Sequence, residues 1–290
     1  MPLYQAIILA IVQGLTELLP VSSSAHVIVV AELLHQDMSK PENALLLVML
    51  HTGTMFAVIV YFWRRWVKTF FSSWEALWRF VQLIFVASLV SGIVALPVIF
   101  VIGHLLARGG HMASIEVLFH KLNWIAPALA AGGILILYAG LREARNPGSP
   151  NGARRELNWF DVLAMGVAQG FAIPFRGFSR SGSTISAGLL TNGERMQIES
   201  FSFAMAVAIT PLAIARELYR VVRAAHRSGV AVHWSAALAP SLVGMVAAML
   251  AGLVALKWLS RWLEQGRWYW FGLYCIAAAA VVQALYLRGW

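Results

Sequence analysis

Gln13-Gly14-Leu15-Thr16-Glu17-Leu18-Leu19-Pro20-Val21-Ser22-Ser23-Ser24-Ala25-His26 interrupts an apolar stretch running from about residue 3 to 34. A second passage of the same design, Gln169-Gly170-Phe171-Ala172-Ile173-Pro174-Phe175-Arg176-Gly177-Phe178-Ser179-Arg180-Ser181-Gly182-Ser183-Thr184, interrupts the stretch from about 160 to 190. Each opens with Gln-Gly, passes a proline and ends in serines just ahead of a new apolar run. The breaks leave pieces of about 15 residues, which at 1.5 Å per residue reach about 22 Å, short of the ~30 Å hydrocarbon core of a bilayer. Re-entrant helical hairpins account for this better than one kinked full-length helix per motif. Broken backbone at membrane depth is tolerated only where protein or water satisfies it.

The rest of the chain supports a membrane setting. Of its 290 residues 60% are hydrophobic and only 12% are charged, and the mean hydropathy is +0.72. A soluble domain carries about twice that share of charge. The formal charge of +9 comes from 22 basic and 13 acidic residues. The basic residues cluster between apolar runs, as Arg64, Arg65 and Lys68 do, or Arg142, Arg145, Arg154 and Arg155. That is the pattern of loops flanking membrane spans and touching anionic headgroups, and it argues against a nucleic-acid partner. Cys275 stands alone in an apolar run, so no disulfide framework or thiolate metal site is available. The opening residues lack a basic start, and Glu17 lies inside the first apolar stretch, which reads against a cleavable signal peptide.

Six further stretches are long enough to span, at approximately 43 to 63, 81 to 103, 124 to 141, 200 to 215, 236 to 257 and 268 to 287. The order repeats: hairpin and three spans, a basic loop from about Leu141 to Asn158, then hairpin and three spans. Three crossings per half is an odd number, so the second half starts from the opposite face. The expected fold is therefore an all-α polytopic membrane protein, one integral membrane domain over 1–290. It is an inverted repeat with halves at approximately 1–145 and 155–290, whose broken helices meet near the bilayer midplane. The segment Asn146-Pro147-Gly148-Ser149-Pro150-Asn151-Gly152 reads as the hinge between the halves. The loops after Tyr61, Leu141, Leu190 and Leu256 share one face and carry twelve basic residues against eight on the other. The positive-inside rule makes that face cytoplasmic and puts both termini outside.

A glutamate, a histidine and an arginine among apolar stretches are costly unless they face one another or water, so they mark a functional site. Gln13 and Glu17 are one helical turn apart and share a face; the carboxylate suits a divalent cation or general-base work. Ser22, Ser23 and Ser24 follow Pro20, where a new helix N-terminus offers N–H groups and hydroxyls to an anion. Ser23 and His26, three apart, put a hydroxyl nucleophile beside a base. The second motif adds Arg180 between Ser179 and Ser181, with Ser183 and Thr184 as further donors; a guanidinium clamps two phosphate oxygens at once and stays charged when partly desolvated. Arg176 is a second cationic candidate or an interfacial side chain. His51, in Leu50-His51-Thr52-Gly53-Thr54, either lines the same site or packs between helices, and Glu199 to Phe203 borders it. Arg216, Arg220, Arg223 and Arg227 recur at spacings of three and four as one basic helix face, solvated or turned to headgroups. Together the motifs suit phosphate chemistry on a lipid. A transporter of phosphorylated lipid would share the architecture but need no nucleophile, and Glu17, Ser23 and His26 favour chemistry.

These motifs resemble those of the bacterial undecaprenyl-diphosphate phosphatase family, also known as the bacitracin-resistance protein family. The first resembles the family's glutamate/glutamine-x-x-x-glutamate followed by Leu-Pro-Val-Ser-Ser and a histidine, matched by Gln13, Glu17, Pro20, Ser22, Ser23 and His26. The second resembles Pro-Gly-x-Ser-Arg-Ser-Gly-x-Thr, matched by Gly177, Ser179, Arg180, Ser181, Gly182 and Thr184. The resemblance covers essentially the whole chain, with one departure: Arg176 stands where the family has proline, and Pro174 lies two residues earlier. It implies removal of the terminal phosphate of undecaprenyl diphosphate, which returns the carrier lipid to peptidoglycan synthesis and confers bacitracin resistance. It also implies a divalent cation, Mg2+ or Ca2+, and a site at the outer side of the inner membrane. Glu17, Ser23, His26 and Arg180 are then the catalytic set, with Ser23, His26 or an activated water as nucleophile. Gln13 and Glu17 hold the cation, while Ser22, Ser24, Ser179, Arg180, Ser181 and Thr184 bind phosphate. The expected partners are the polyprenyl diphosphate, membrane lipid and, as an oligomer to be tested, a second copy in a homodimer.

Overall fold

Proline and serine break the first apolar stretch into two helices, α1 (Leu3–Leu18) and α2 (Ser23–Leu33), in the computed structural model. The structure describes residues 1–37, 41–105, 122–145, 157–175, 177–228 and 234–288. Leu19 is extended (φ −66°, ψ 116°), the conformation that a following proline imposes on its neighbour, so α1 ends there. The second motif repeats the break between α6 (Trp159–Ala172) and α7 (Arg180–Leu190). A reciprocal capping box opens α6, in which Asn158 and Asp161 exchange side-chain and backbone hydrogen bonds at 3.0 Å each. At the other end Pro174 has no N–H with which to continue. These four helices have 16, 11, 14 and 11 residues, about 24 Å at most, and none reaches across a hydrocarbon core. Each pair packs on itself, α1 on α2 and α6 on α7.

The remaining described helices are α3 (Pro41–Thr69), α4 (Trp74–Leu105), α5 (Leu122–Arg145), α8 (Arg195–Ser228), α9 (Trp234–Glu264) and α10 (Tyr269–Leu287). All six contain a stretch long and apolar enough to cross a membrane, the same six expected from the sequence. The described residues form helices and no strands, as expected of an all-α polytopic protein. The hinge at 146–152 and Arg176 lie outside the described residues.

The chain forms two compact units. The first comprises Met1–Leu19, Ser23–Arg64 and Ala206–Leu259. Its core gathers Ala6, Leu9 and Ala10 of α1, Val27 and Ala31 of α2, Leu46 and Leu50 of α3, and Ala248 of α9. In lipid there is little hydrophobic gain between helices, so close packing through small residues carries the association. Gly14 meets α9 so closely that a Cβ there would lie 2.5 Å from the Ala248 carbonyl oxygen.

The second unit comprises Pro20–Ser22, Arg65–Met205 and Ser260–Trp290. Here α6 packs on α4, and α5 on α10 and α7. Gly170, the counterpart of Gly14 in the Gln-Gly pair, meets α4: a Cβ would lie 2.8 Å from the Ser91 carbonyl oxygen. So the first short helix of each half leans on the second long helix of the other half.

A polar clasp joins helix ends in this unit. Glu199, 1% exposed, pairs with Arg65 at 3.5 Å and accepts a hydrogen bond from Ser260. One turn earlier on α8, Arg195 pairs with Glu143 and donates to the Glu264 carbonyl at 2.8 Å. Arg142 donates to the Leu190 carbonyl. The clasp thus unites the ends of α3, α5, α7 and α9 with the start of α8. These are the ends that three crossings per half place on one face, an arrangement consistent with an inverted repeat.

Candidate active site

In the first unit, α1 presents Gln13 and Glu17 one turn apart. Gln13 is buried, and its Nε2 donates to Glu17 Oε2 at 3.1 Å. Ser23, the first residue of α2, donates its hydroxyl to the same oxygen at 2.5 Å. The hairpin fold achieves this by bringing the end of α1 and the start of α2 back together.

His51 of α3 completes the cluster, with Nε2 3.9 Å from Glu17 Oε2. Its Nδ1 lies 2.8 Å from the Leu47 carbonyl oxygen, which can only accept, so Nδ1 carries a hydrogen. The other ring nitrogen, Nε2, faces the carboxylate. Thr52 and Thr54 instead bond back to the α3 backbone, at 2.8 Å to Val48 O and 2.9 Å to His51 O. Within the Leu50–Thr54 stretch, His51 is therefore the residue facing the acid. Ser24 and His26, both half-buried, lie in the first turn of α2.

The second motif stands in the second unit. Gly177, at φ 111°, turns the chain toward α5, and a Cβ there would sit 2.6 Å from the Ile125 carbonyl oxygen. Neither the angle nor the space admits another residue without strain. Ser179 caps α7: its Oγ accepts from the Gly182 N–H at 3.2 Å. Arg180 is the first helical residue and half-buried. Its carbonyl oxygen accepts from Ser183 Oγ and Thr184 Oγ1, each at 2.9 Å. Thr184 Oγ1 also lies 2.6 Å from Ser202 Oγ on α8. The hydroxyls of Ser179, Ser183 and Thr184 thus brace the turn that presents Arg180, and Ser181 is buried beside them. Gln169 does similar structural work, donating at 3.0 Å to Ser91 Oγ, which in turn lies 2.9 Å from the Gly166 carbonyl.

The two motifs share a backbone signature. Ser22 and Ser179, each one residue before the second short helix, have φ of 66° and 62°. Non-glycine residues rarely adopt this left-handed conformation, and such strained positions cluster at functional sites. The alignment of turns puts Ser23 and Arg180 at equivalent helix starts.

The sequence singled out Glu17, Ser23 and Gln13, and the structure brings these three together. The Glu199 to Phe203 stretch, expected to border the site, does so through Ser202 beside Thr184, whereas Ser91 was not found, because a lone serine in an apolar span gives no signal of its direction.

Comparison with known proteins decides the family. The model of the bacitracin resistance protein BacA family matches residues 6–281. The chain belongs to this family. Among BacA relatives, undecaprenyl-diphosphatase 2 of Acinetobacter baylyi is 46% identical over 287 residues, covering 98% of both chains. The undecaprenyl-diphosphatase of Mycobacterium leprae is 36% identical over 287 residues, 97% of this chain and 94% of its own. That of Rhodopirellula baltica is 30% identical over 290 residues, 99% of each. With six apolar helices among the described residues and BacA membership, the chain is a multi-pass bacterial membrane protein.

Proposed function

We propose that this protein hydrolyses undecaprenyl diphosphate to undecaprenyl phosphate and inorganic phosphate, by the following chemistry. The observation that carries the mechanism is the contact of Ser23 Oγ with Glu17 Oε2 at 2.5 Å. A hydroxyl that already donates to a carboxylate has a base in place, so Glu17 takes the proton as Ser23 Oγ attacks the terminal phosphorus. The new O–P bond forms as the bridging P–O bond breaks, and undecaprenyl phosphate leaves. Water then hydrolyses the phosphoserine, releasing phosphate. Arg180 binds phosphate oxygens bidentately and offsets the charge that builds on them. Ser22, Ser24 and Ser181 add donors at the two helix starts, where backbone N–H groups favour anions, and His26 serves as proton shuttle for the hydrolytic step.

A divalent cation fits this donor set. Glu17 offers a carboxylate and Gln13 an amide, oxygen ligands of the kind Mg2+ and Ca2+ prefer. Among the described residues no group of three or more His, Cys, Asp or Glu side chains could hold a metal. Gln13 and Glu17 would hold the cation. Bound there, a cation would neutralise diphosphate charge.

The chain is an inverted repeat in the inner membrane with its N-terminus outside, and the reaction takes place at the outer side. Loop charge supports this orientation. Purified protein in detergent should release phosphate from a long-chain isoprenyl diphosphate, and EDTA should silence it until Mg2+ or Ca2+ is restored. Absence of release would leave a lipid transporter; release that persists in chelator would remove the cation.

A further inference from the structure

Helix α8 is longer than a membrane is thick. Its 34 residues span about 51 Å, against ~30 Å of hydrocarbon. At its start Arg195 and Glu199 are tied into the clasp, which fixes that end near one membrane face. Twenty residues further on, near Tyr219, the hydrocarbon is used up. The last turns therefore emerge at the opposite face, the one carrying the N-terminus.

This emerging segment, part of the first unit, has two exposed sides. Arg216, Arg220 and Arg223 are exposed and recur at spacings of four and three, so they form a single stripe. Leu218, Tyr219 and Val222 fall on another side of the helix and are 41%, 63% and 38% exposed. Glu217, paired to Arg220 at 3.1 Å, offsets only one of the three charges. Apolar side chains and an aromatic beside a basic stripe, at the depth where hydrocarbon gives way to headgroups, are the makings of an interfacial helix.

We infer that the end of α8 is a docking surface for anionic phospholipid headgroups, with Arg216, Arg220 and Arg223 on the phosphates and Leu218, Tyr219 and Val222 at the acyl boundary. Charge complementarity selects this occupant, since a neutral lipid gives the guanidinium stripe no counter-charge. The surface lies on the face where we place the reaction, so it would hold an anionic lipid environment where a diphosphate lipid arrives. That last point rests on the proposed function; the docking itself does not.

The experiment uses the full chain in detergent, with melting followed as phosphatidylglycerol or phosphatidylcholine is added. Wild type should be stabilised by phosphatidylglycerol far more than by phosphatidylcholine, and high salt should erase the difference. The triple variant Arg216→Gln, Arg220→Gln, Arg223→Gln should bind phosphatidylglycerol roughly a hundredfold more weakly and lose most of that stabilisation, with melting in phosphatidylcholine unchanged. The matching triple Arg→Lys variant should keep it. A Gln variant that is stabilised as wild type is, or a Lys variant that loses the effect equally, overturns the inference. So does a raised KM for the isoprenyl diphosphate with phosphatidylglycerol binding intact, which would assign the stripe to the substrate itself. Because melting involves no turnover, failure of the phosphatase reading would leave this result standing.

Discussion

Ser23 and Gln13 converge on one oxygen of one carboxylate: Glu17 Oε2 accepts from the Ser23 hydroxyl at 2.5 Å and from the Gln13 amide at 3.1 Å. Two donors from opposite sides of the hairpin break fix the direction of the acid. Glu17→Gln keeps the shape and removes the base, so turnover should fall by about 10²- to 10⁴-fold with melting close to wild type. Ser23→Ala should be at least as damaging if Ser23 is the nucleophile. Phosphate release and trapping of a phosphoserine check this. A Ser23→Ala enzyme with near wild-type turnover would hand the attack to water.

Arg180 tests geometry rather than charge. Lysine keeps the positive charge but offers a point contact in place of two parallel hydrogen bonds. A charge-assisted bond is worth roughly 1.5–3 kcal/mol, so losing one in the transition state costs about 10- to 100-fold in rate. Arg180→Lys should be crippled and Arg180→Ala nearly inactive, while Arg176→Lys stays mild if that residue only reaches the interface. Phosphate release from the three variants separates the roles, and near wild-type turnover in Arg180→Lys would refute the clamp.

Gln13 and Gln169 stand at the same place in the two motifs yet have different neighbours. Gln13 holds the acid, whereas Gln169 ties α6 to Ser91 of α4. Gln169→Leu should lower stability by about 0.5–1.5 kcal/mol, the net worth of one hydrogen bond, because Ser91 keeps its bond to the Gly166 carbonyl, and leave kcat near wild type. Gln13→Leu should reverse that pattern. Melting and kcat measured on the same preparations decide it.

Three crossings per half predict the topology. Single cysteines at Asp37 and Asn151, in a Cys275→Ser background, should label from opposite sides of the membrane. The background is mild because Cys275 is buried and its thiol, a weak donor, makes one bond, at 3.4 Å to the Pro20 carbonyl, which a serine hydroxyl can replace. Labelling of both from one side would remove the inverted repeat.

Much of this was legible in the residues, for identifiable reasons. The six long helices and the two broken pairs follow from apolar length and from proline, signals that act locally. Helix ends were less legible: α3 runs on to Thr69 and α8 to Ser228, because polar residues beyond the hydrocarbon remain helical. The hydroxyls were least legible. Ser23 and Thr184 look alike in sequence, yet one turns to Glu17 and the other to Ser202 and the backbone of its own helix. That choice depends on packing between elements far apart in the chain.

The shared φ at Ser22 and Ser179 sets apart what the two motifs do not share. The same left-handed turn occurs in both motifs, while the residue that follows is Ser23 in one and Arg180 in the other. Glu17 likewise has Ile173 as its counterpart, four residues after the matching glutamine. Two copies of the first motif would lack the guanidinium, and two copies of the second would lack the acid. On the proposed chemistry each motif holds a part that the other lacks, so a second copy of either could not stand in for its counterpart.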